Sequence, residues 1–207
     1  MRVTTAQLRQ IVANPRRYVA HARASAAAPQ YGNPQRAWME GAWRAYFDAD
    51  RAPTALWEAF ARKVAAGRAS RSRAQWAAGA VPLLEQFLAW DADEPQAPVD
   101  RFARSGDVRW HGHILALRRD LVYLTATGYL VRQCWTSREL GLDHPDVGLM
   151  VAAVLVCADA DLGVGRTEAV DIWHLRDGQR RSWERALLVA EAERLRERLD
   201  EVAAAVG

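Results

Sequence analysis

Cysteine is scarce in this chain. Cys134 and Cys157 are the two cysteines among 207 residues. They form neither a Cys-x-x-Cys pair nor a disulfide framework, and an iron–sulfur cluster usually needs about four such ligands. Long apolar runs are missing as well. The most apolar stretch, 147–158, falls short of the roughly 18–20 residues a membrane span requires. The N-terminus shows no charged-then-apolar leader, so the expectation is a cytoplasmic chain with reduced thiols and no membrane partner. No Ser-His-Asp order, glycine-rich phosphate loop, zinc-finger spacing or internal repeat is present, and Gly163-Val164-Gly165 is too short for a nucleotide fingerprint.

Lysine is rarer still: of 28 basic side chains, Lys63 alone is a lysine and the rest are arginines. A GC-rich coding sequence and solvated helix faces account for this in plain terms. The distribution invites a second reading. Residues 1–76 carry 13 basic and 4 acidic side chains, net +9, whereas the remaining residues carry 15 and 21, net −6. An N-terminal surface for phosphate or an acidic partner fits that asymmetry, because guanidinium forks match both kinds of oxygen.

What is present is a globular composition: 50% hydrophobic and 26% charged, enough apolar material for a real core. Residues 1–90 read as helical. Thr4 or Thr5 caps a first helix carrying Leu8, Ile11 and Val12, which Pro15 interrupts. A loop follows from Pro29 to Pro34 with Tyr31 and Gly32. Further helices are predicted over Gln35–Asp50, Thr54–Ala66 and Ser70–Trp90. Their aromatic residues, among them Trp38, Trp43, Trp57 and Trp76, are expected to pack a core, with a base-stacking platform as the lesser alternative. Residues 91–107, polar and interrupted by two prolines, read as a connector.

Beyond it the pattern changes to alternation. Val108–Leu117, Asp120–Thr125 and Tyr129–Thr136 are predicted as three successive antiparallel strands, with a Thr-Ala-Thr-Gly turn closing the last pair. Leu142–Asp161 should be a buried helix, Glu168–Leu175 a fourth strand, and Ser182–Val206 a final helix with Ser182 as N-cap. That last helix bears one apolar stripe through Leu188, Leu195, Leu199 and Val202, suited to packing on the sheet or on a partner. The order gives an α+β (α/β) chain, read as one domain: a helical part (1–90), the connector (91–107) and a sheet-and-helix core (108–207).

Several motifs fall in a familiar order. Thr4-Thr5-Ala6-Gln7-Leu8, followed by Asn14-Pro15-Arg16-Arg17-Tyr18, is similar to an opening helix that often reads Cys-Pro-x-x-Tyr, with Asn14 in the cysteine position. Glu40-Gly41-x-x-Arg44 looks like a helix that contributes a glutamate or histidine. Asp120 stands at the start of the hairpin, preceded by Arg119 rather than proline. Gln133-Cys134-Trp135-Thr136 falls where an acid-x-Lys-Thr motif would lie. The chain resembles the PD-(D/E)XK nuclease superfamily, in particular RecB-like domains, over most of its length. The resemblance implies a restriction-endonuclease-like core: a helical N-terminal part packed on a small mixed β-sheet with flanking helices.

In that family the hairpin acids hold a hard divalent metal and the lysine helps activate water. Here one acid remains, while a neutral amide and an indole occupy the other two positions. The resemblance therefore implies a pseudonuclease with no catalytic residue at Asp120, Gln133, Trp135 or Glu40 and no cofactor. Magnesium or manganese enters only if Glu40, Glu139 or Asp143 completes a relocated site with Asp120. His111 and His113, two apart on a predicted strand, share a face and make a weak metal pair with Asp120 or His144; His174 reads as structural. Arg16, Arg17, Arg36 and Arg44 are the candidate contacts to DNA phosphates. Three functions compete: a non-catalytic nucleic-acid-binding or structural subunit of a bacterial DNA-processing or defence complex, a protein adaptor or homo-oligomer, and an active metal-dependent nuclease.

Overall fold

The computed structural model describes residues 1–24, 34–67, 70–102, 106–137 and 140–207. In chain order the elements are β1 (Arg2–Thr4), α1 (Thr5–Ala13), α2 (Pro15–Ala24), α3 (Pro34–Asp48), α4 (Pro53–Ala65), α5 (Arg71–Asp91), β2 (Asp100–Arg101), β3 (Val108–Trp110), β4 (His113–Ala116), β5 (Leu121–Leu124), β6 (Tyr129–Trp135), α6 (Val147–Leu162), β7 (Thr167–His174), β8 (Gln179–Glu184) and α7 (Arg185–Val206). The chain is α+β, and it divides into two compact units: Met1–Ala28 with Pro98–Gly207, and Pro29–Ala97.

The unit Pro29–Ala97 holds α3, α4 and α5. Each helix start follows from local chemistry. Pro53 sits in the first turn of α4, where its missing N–H costs nothing, and the Ser70 hydroxyl accepts from the Arg73 amide at the head of α5. The aromatic residues build the core. Trp43 and Phe87 are fully buried with ring centroids 5.1 Å apart, and Tyr46 and Phe47 meet Phe87 edge-on. Rings so enclosed are used for packing. Between α3 and α4 the chain turns through Asp50 and Arg51, both at positive φ. That turn brings Arg51 Nε to Asp91 Oδ2 at 2.8 Å, where the Tyr46 hydroxyl also donates at 2.8 Å. Asp91, 1% exposed, thus gathers one end of all three helices.

The other unit carries two sheets. A small one, ordered β1-β4-β3, pairs β1 parallel and β3 antiparallel to β4. The larger is ordered β2-β5-β6-β7-β8, with β6 and β7 parallel and every other neighbour antiparallel. Helix α6 connects the parallel pair. Apolar on every side, it is buried from Val147 to Leu155 and packs between β7, α7 and α1. Gly148 allows α7 close, since a Cβ there would meet the Glu191 side chain at 2.9 Å. The apolar stripe of α7 (Leu188, Leu195, Leu199 and Val202) lies in the same core, so packing within the fold uses it up.

Four expectations need correction. The predicted strand Val108–Leu117 is a hairpin, β3 and β4, turning at His111 (φ +44) and Gly112 (φ +78), and it belongs to the small sheet rather than to a three-strand meander. Two three- to four-residue strands joined by a residue-level kink look like one strand when only alternation is read. The predicted helix start at Ser182 is instead within β8, where Ser182 pairs with Asp171, and α7 begins at Arg185. The buried helix starts at Val147 rather than Leu142, after turns at residues 142–146. The connector contains β2, whose two residues pair with Leu121 and Val122. The loop Pro29–Pro34 lies outside the described residues apart from Pro34, which opens α3.

Two tests follow from this architecture. A Cβ on Gly128 would lie 2.2 Å from the Arg166 carbonyl oxygen, which already accepts the Tyr129 amide. Gly128→Ala should therefore cost about 2 kcal/mol in urea unfolding, the scale of overpacking against a backbone that cannot yield. Burial, and secondarily the bond to Asp91, pushes the Tyr46 phenol up to about 12. The folded state holds this proton more tightly than the unfolded chain. Its contribution is therefore complete below pH 10, and it is lost as pH rises from about 10 to about 12. Phenolate absorbance during alkaline titration should include a component ionising near pH 12, and Asp91→Asn should bring that component earlier.

Candidate functional site

The hairpin β5–β6 carries the three motif positions. Register fixes their setting: Leu121 pairs with Arg132, and Asp120 lies one residue beyond that pair. Side chains alternate along β6, so Val131, Gln133 and Trp135 share one face and Arg132 and Cys134 the other. Val131 and Trp135 lie in the core with Val122, Val170 and Ile172, which places Gln133 on the same covered face.

Each motif side chain is closed to solvent and engaged within the fold. Asp120 is 3% exposed, Gln133 5% and Trp135 4%. Asp120 Oδ2 accepts the Cys134 backbone N–H at 2.7 Å. Gln133 donates from Nε2 to the Arg118 carbonyl at 3.0 Å. The Trp135 indole meets His174 edge-on at 6.3 Å. His174 is fully buried, with Nε2 3.2 Å from the Leu140 carbonyl and Nδ1 3.2 Å from Asp177 Oδ2. Where the nuclease resemblance leads one to expect a lysine, this chain has an indole packed on an imidazole.

The neighbouring charges are also structural in geometry. Arg119, in the position of the motif proline, is 6% exposed, and its Nη2 is 3.4 Å from both Asp100 and Asp161. It ties β2 to the end of α6. On the opposite sheet face, Arg132 is 4% exposed and 3.1 Å from Asp171 on the adjacent strand. Its guanidinium lies 4.1 Å from the Trp173 ring centroid and 4.6 Å from that of Tyr123. Stacking between two rings suits arginine, whose planar, weakly hydrated cation loses less on burial than an ammonium. Sequence reasoning missed this cluster. Its one visible signal was an arginine in the middle of a mostly apolar strand.

The remaining candidates separate. Glu40, half-buried on α3 in the Pro29–Ala97 unit, accepts from Arg44 Nη2 at 3.2 Å, one turn away. Arg36 stacks on Trp43 at 4.8 Å. Arg16 and Arg17 are exposed on α2 in the other unit, where Asn14 Oδ1 accepts the Arg17 amide at 3.0 Å and caps the helix. Asn14, which the nuclease resemblance aligns with a cysteine, therefore has a local structural task.

Contrary to the sequence expectation, His111 and His113 do not share a strand face. His111 is exposed at the hairpin turn, and His113 is buried with Nε2 2.8 Å from Asp200 Oδ1 on α7. His144 accepts the Asp146 amide within its turn. Glu139 lies outside the described residues. Among the described residues no group of three or more His, Cys, Asp or Glu side chains is placed to hold a metal ion. No helix among them is long and apolar enough to cross a membrane. No family model matches the sequence, and no curated protein matches it significantly.

The geometry makes the carboxylate at position 120 a backbone acceptor. Asp120→Ala should leave the Cys134 N–H buried without that partner and cost about 1–3 kcal/mol in chemical denaturation. Arg132→Met should cost more, about 3–5 kcal/mol, because Asp171 then loses its counter-charge beside a covered sheet. Adding Asp171→Leu to Arg132→Met should recover much of that loss, and a double-mutant cycle measures the coupling.

Proposed function

We propose that the chain is a non-catalytic, RecB-like pseudonuclease serving as a nucleic-acid-binding or structural subunit of a bacterial DNA-processing or defence complex. One observation carries this reading: all three hairpin motif positions are buried and used internally. Phosphodiester hydrolysis needs a metal with open coordination positions and a path for the substrate. An aspartate 3% exposed and bonded to a backbone amide offers neither. The order of elements supports the family resemblance, since an antiparallel hairpin, a buried helix and a strand parallel to the second hairpin strand follow one another. On this reading no magnesium or manganese is required.

Exposed Arg16 and Arg17 are the phosphate contacts this reading uses first; Arg36 and Arg44 are partly committed to Trp43 and Glu40. Such contacts give binding that falls steeply with salt and varies little with sequence. The adaptor reading no longer draws on the α7 stripe or on the buried aromatic residues of the helical unit, which the two cores consume; Trp76, expected in a core, is instead 40% exposed. It draws instead on a groove in the sheet-bearing unit, described below. The relocated-nuclease reading needs Asp120 open beside Glu40, Glu139 or Asp143, and the closed carboxylate counts against it.

Plasmid and single-stranded DNA incubated with magnesium or manganese should show no cleavage above a metal-free control. Asp120→Asn, which keeps the side-chain shape, should behave identically. Cleavage by the wild-type chain that disappears in Asp120→Asn would sink the pseudonuclease reading. Absence of binding to any duplex or single strand at low salt would remove its nucleic-acid form and leave the structural one.

A further inference from the structure

Helix α2 contains no buried residue, although it packs against α7. Between the two helices runs an open groove of about 540 Å³. Val19, Ala20 and Ala205 form its open aliphatic floor, Val202 being only 2% exposed, and Arg16, Arg23, Arg198 and Glu201 complete its lining. Three guanidinium groups face one carboxylate. Arg23 is held by donating Nε to the Ala205 carbonyl at 2.8 Å, and Arg198 lies a loose 3.6–3.7 Å from Asp146 and Glu201. Arg16 is exposed, with no carboxylate partner among the described residues. An apolar floor under a cationic rim distinguishes its occupant by chemistry. A row of phosphates, which the nucleic-acid reading would set on Arg16, would make no use of the floor and would meet Glu201, so the two readings compete for Arg16. A helix with aliphatic side chains on one face and carboxylates beside them satisfies both parts.

We propose that this groove docks an acidic amphipathic helix of a partner protein, its aliphatic residues on Val19, Ala20 and Ala205 and its carboxylates on Arg16, Arg23 and Arg198. The assignment rests on the groove and goes beyond the pseudonuclease reading, so it stands or falls separately from the cleavage test. The probe is a displayed library of helical peptides selected on the full wild-type chain, then measured on Arg16→Glu and Ala20→Glu. Both positions are exposed, and circular dichroism checks that each variant folds. Enriched peptides should carry two aliphatic residues one turn apart flanked by Asp or Glu. Each variant should weaken them by about tenfold or more, and added salt should weaken wild-type binding. Failure to enrich acidic amphipathic peptides overturns the proposal, as does equal binding to both variants. So does a fluorescein-labelled oligonucleotide that binds wild type and is lost in these variants with no peptide enriched. Self-association of the wild type that the same variants abolish would assign the groove to a second copy and overturn it too.

Discussion

Strand β6 has no free side. It is flanked by β5 and β7, and from Val131 to Trp135 its residues are buried on both faces. A strand enclosed in this way can carry a polar side chain only if the fold supplies that side chain's partner, because an unpaired polar group away from water costs several kcal/mol. Much of the surrounding architecture answers this demand. Arg132 draws Asp171 from β7 and two aromatic rings; Gln133 takes the Arg118 carbonyl; the Cys134 amide takes the Asp120 carboxylate. The residues that invite a catalytic reading are thus the ones that let a polar sequence occupy the middle of a sheet.

The same demand explains why α6 is apolar all round. A parallel neighbour for β6 requires a crossover, and the crossover helix must cover one sheet face while being covered in turn by α7 and α1. Its ends then need anchoring where polarity resumes. Arg119 reaches Asp161 near the end of α6, and Arg185 makes a two-bonded contact with Asp159 at 2.6 and 2.7 Å while also reaching the Thr167 carbonyl. That contact ties α6, β7 and the start of α7 at one point, and the Asp159 hydrogen bond raises the Arg185 pKa. Two arginines at the sheet, Arg119 and Arg132, are interior fasteners rather than a solvated coat.

Legibility in the sequence follows the range of the deciding interaction. Where it is local, the reading succeeds: the Thr4–Gln7 capping box, the break at Pro15, the starts at Pro53 and Ser70, and the Thr125–Gly128 turn are each set within a few residues. Where it is tertiary, the reading fails. Strand β8 (Gln-Arg-Arg-Ser-Trp-Glu) buries one residue of six and has no apolar alternation; it exists because β7 offers an edge. Its Ser182 is a good N-cap type that the chain spends in a strand instead. Strand β2 is two residues held by β5, and β1 is three residues held by β4. At the hairpin the motif positions themselves were visible. Their closure was not, because it depends on α6 covering the sheet and on His174, thirty-nine residues beyond Trp135, arriving beside the indole in parallel register.

Position 133 shows why the neutral amide belongs with this arrangement. A carboxylate there would stand next to the backbone N–H that Asp120 already occupies, so two anions would share one dry corner. Such pairs persist when a cation lies between them, or when one is protonated. It would also lose the bond to the Arg118 carbonyl, because a carboxylate cannot donate. A lysine at position 135 would place an ammonium where the indole fills space against His174, in a site 4% exposed. Bringing either charge into this interior costs several kcal/mol unless a counter-charge comes with it. Gln133 and Trp135 are therefore suited to each other and to the covered sheet. Placing an acid at 133 or a lysine at 135 alone would weaken the fold without opening Asp120 to solvent, and that coupling keeps the hairpin closed.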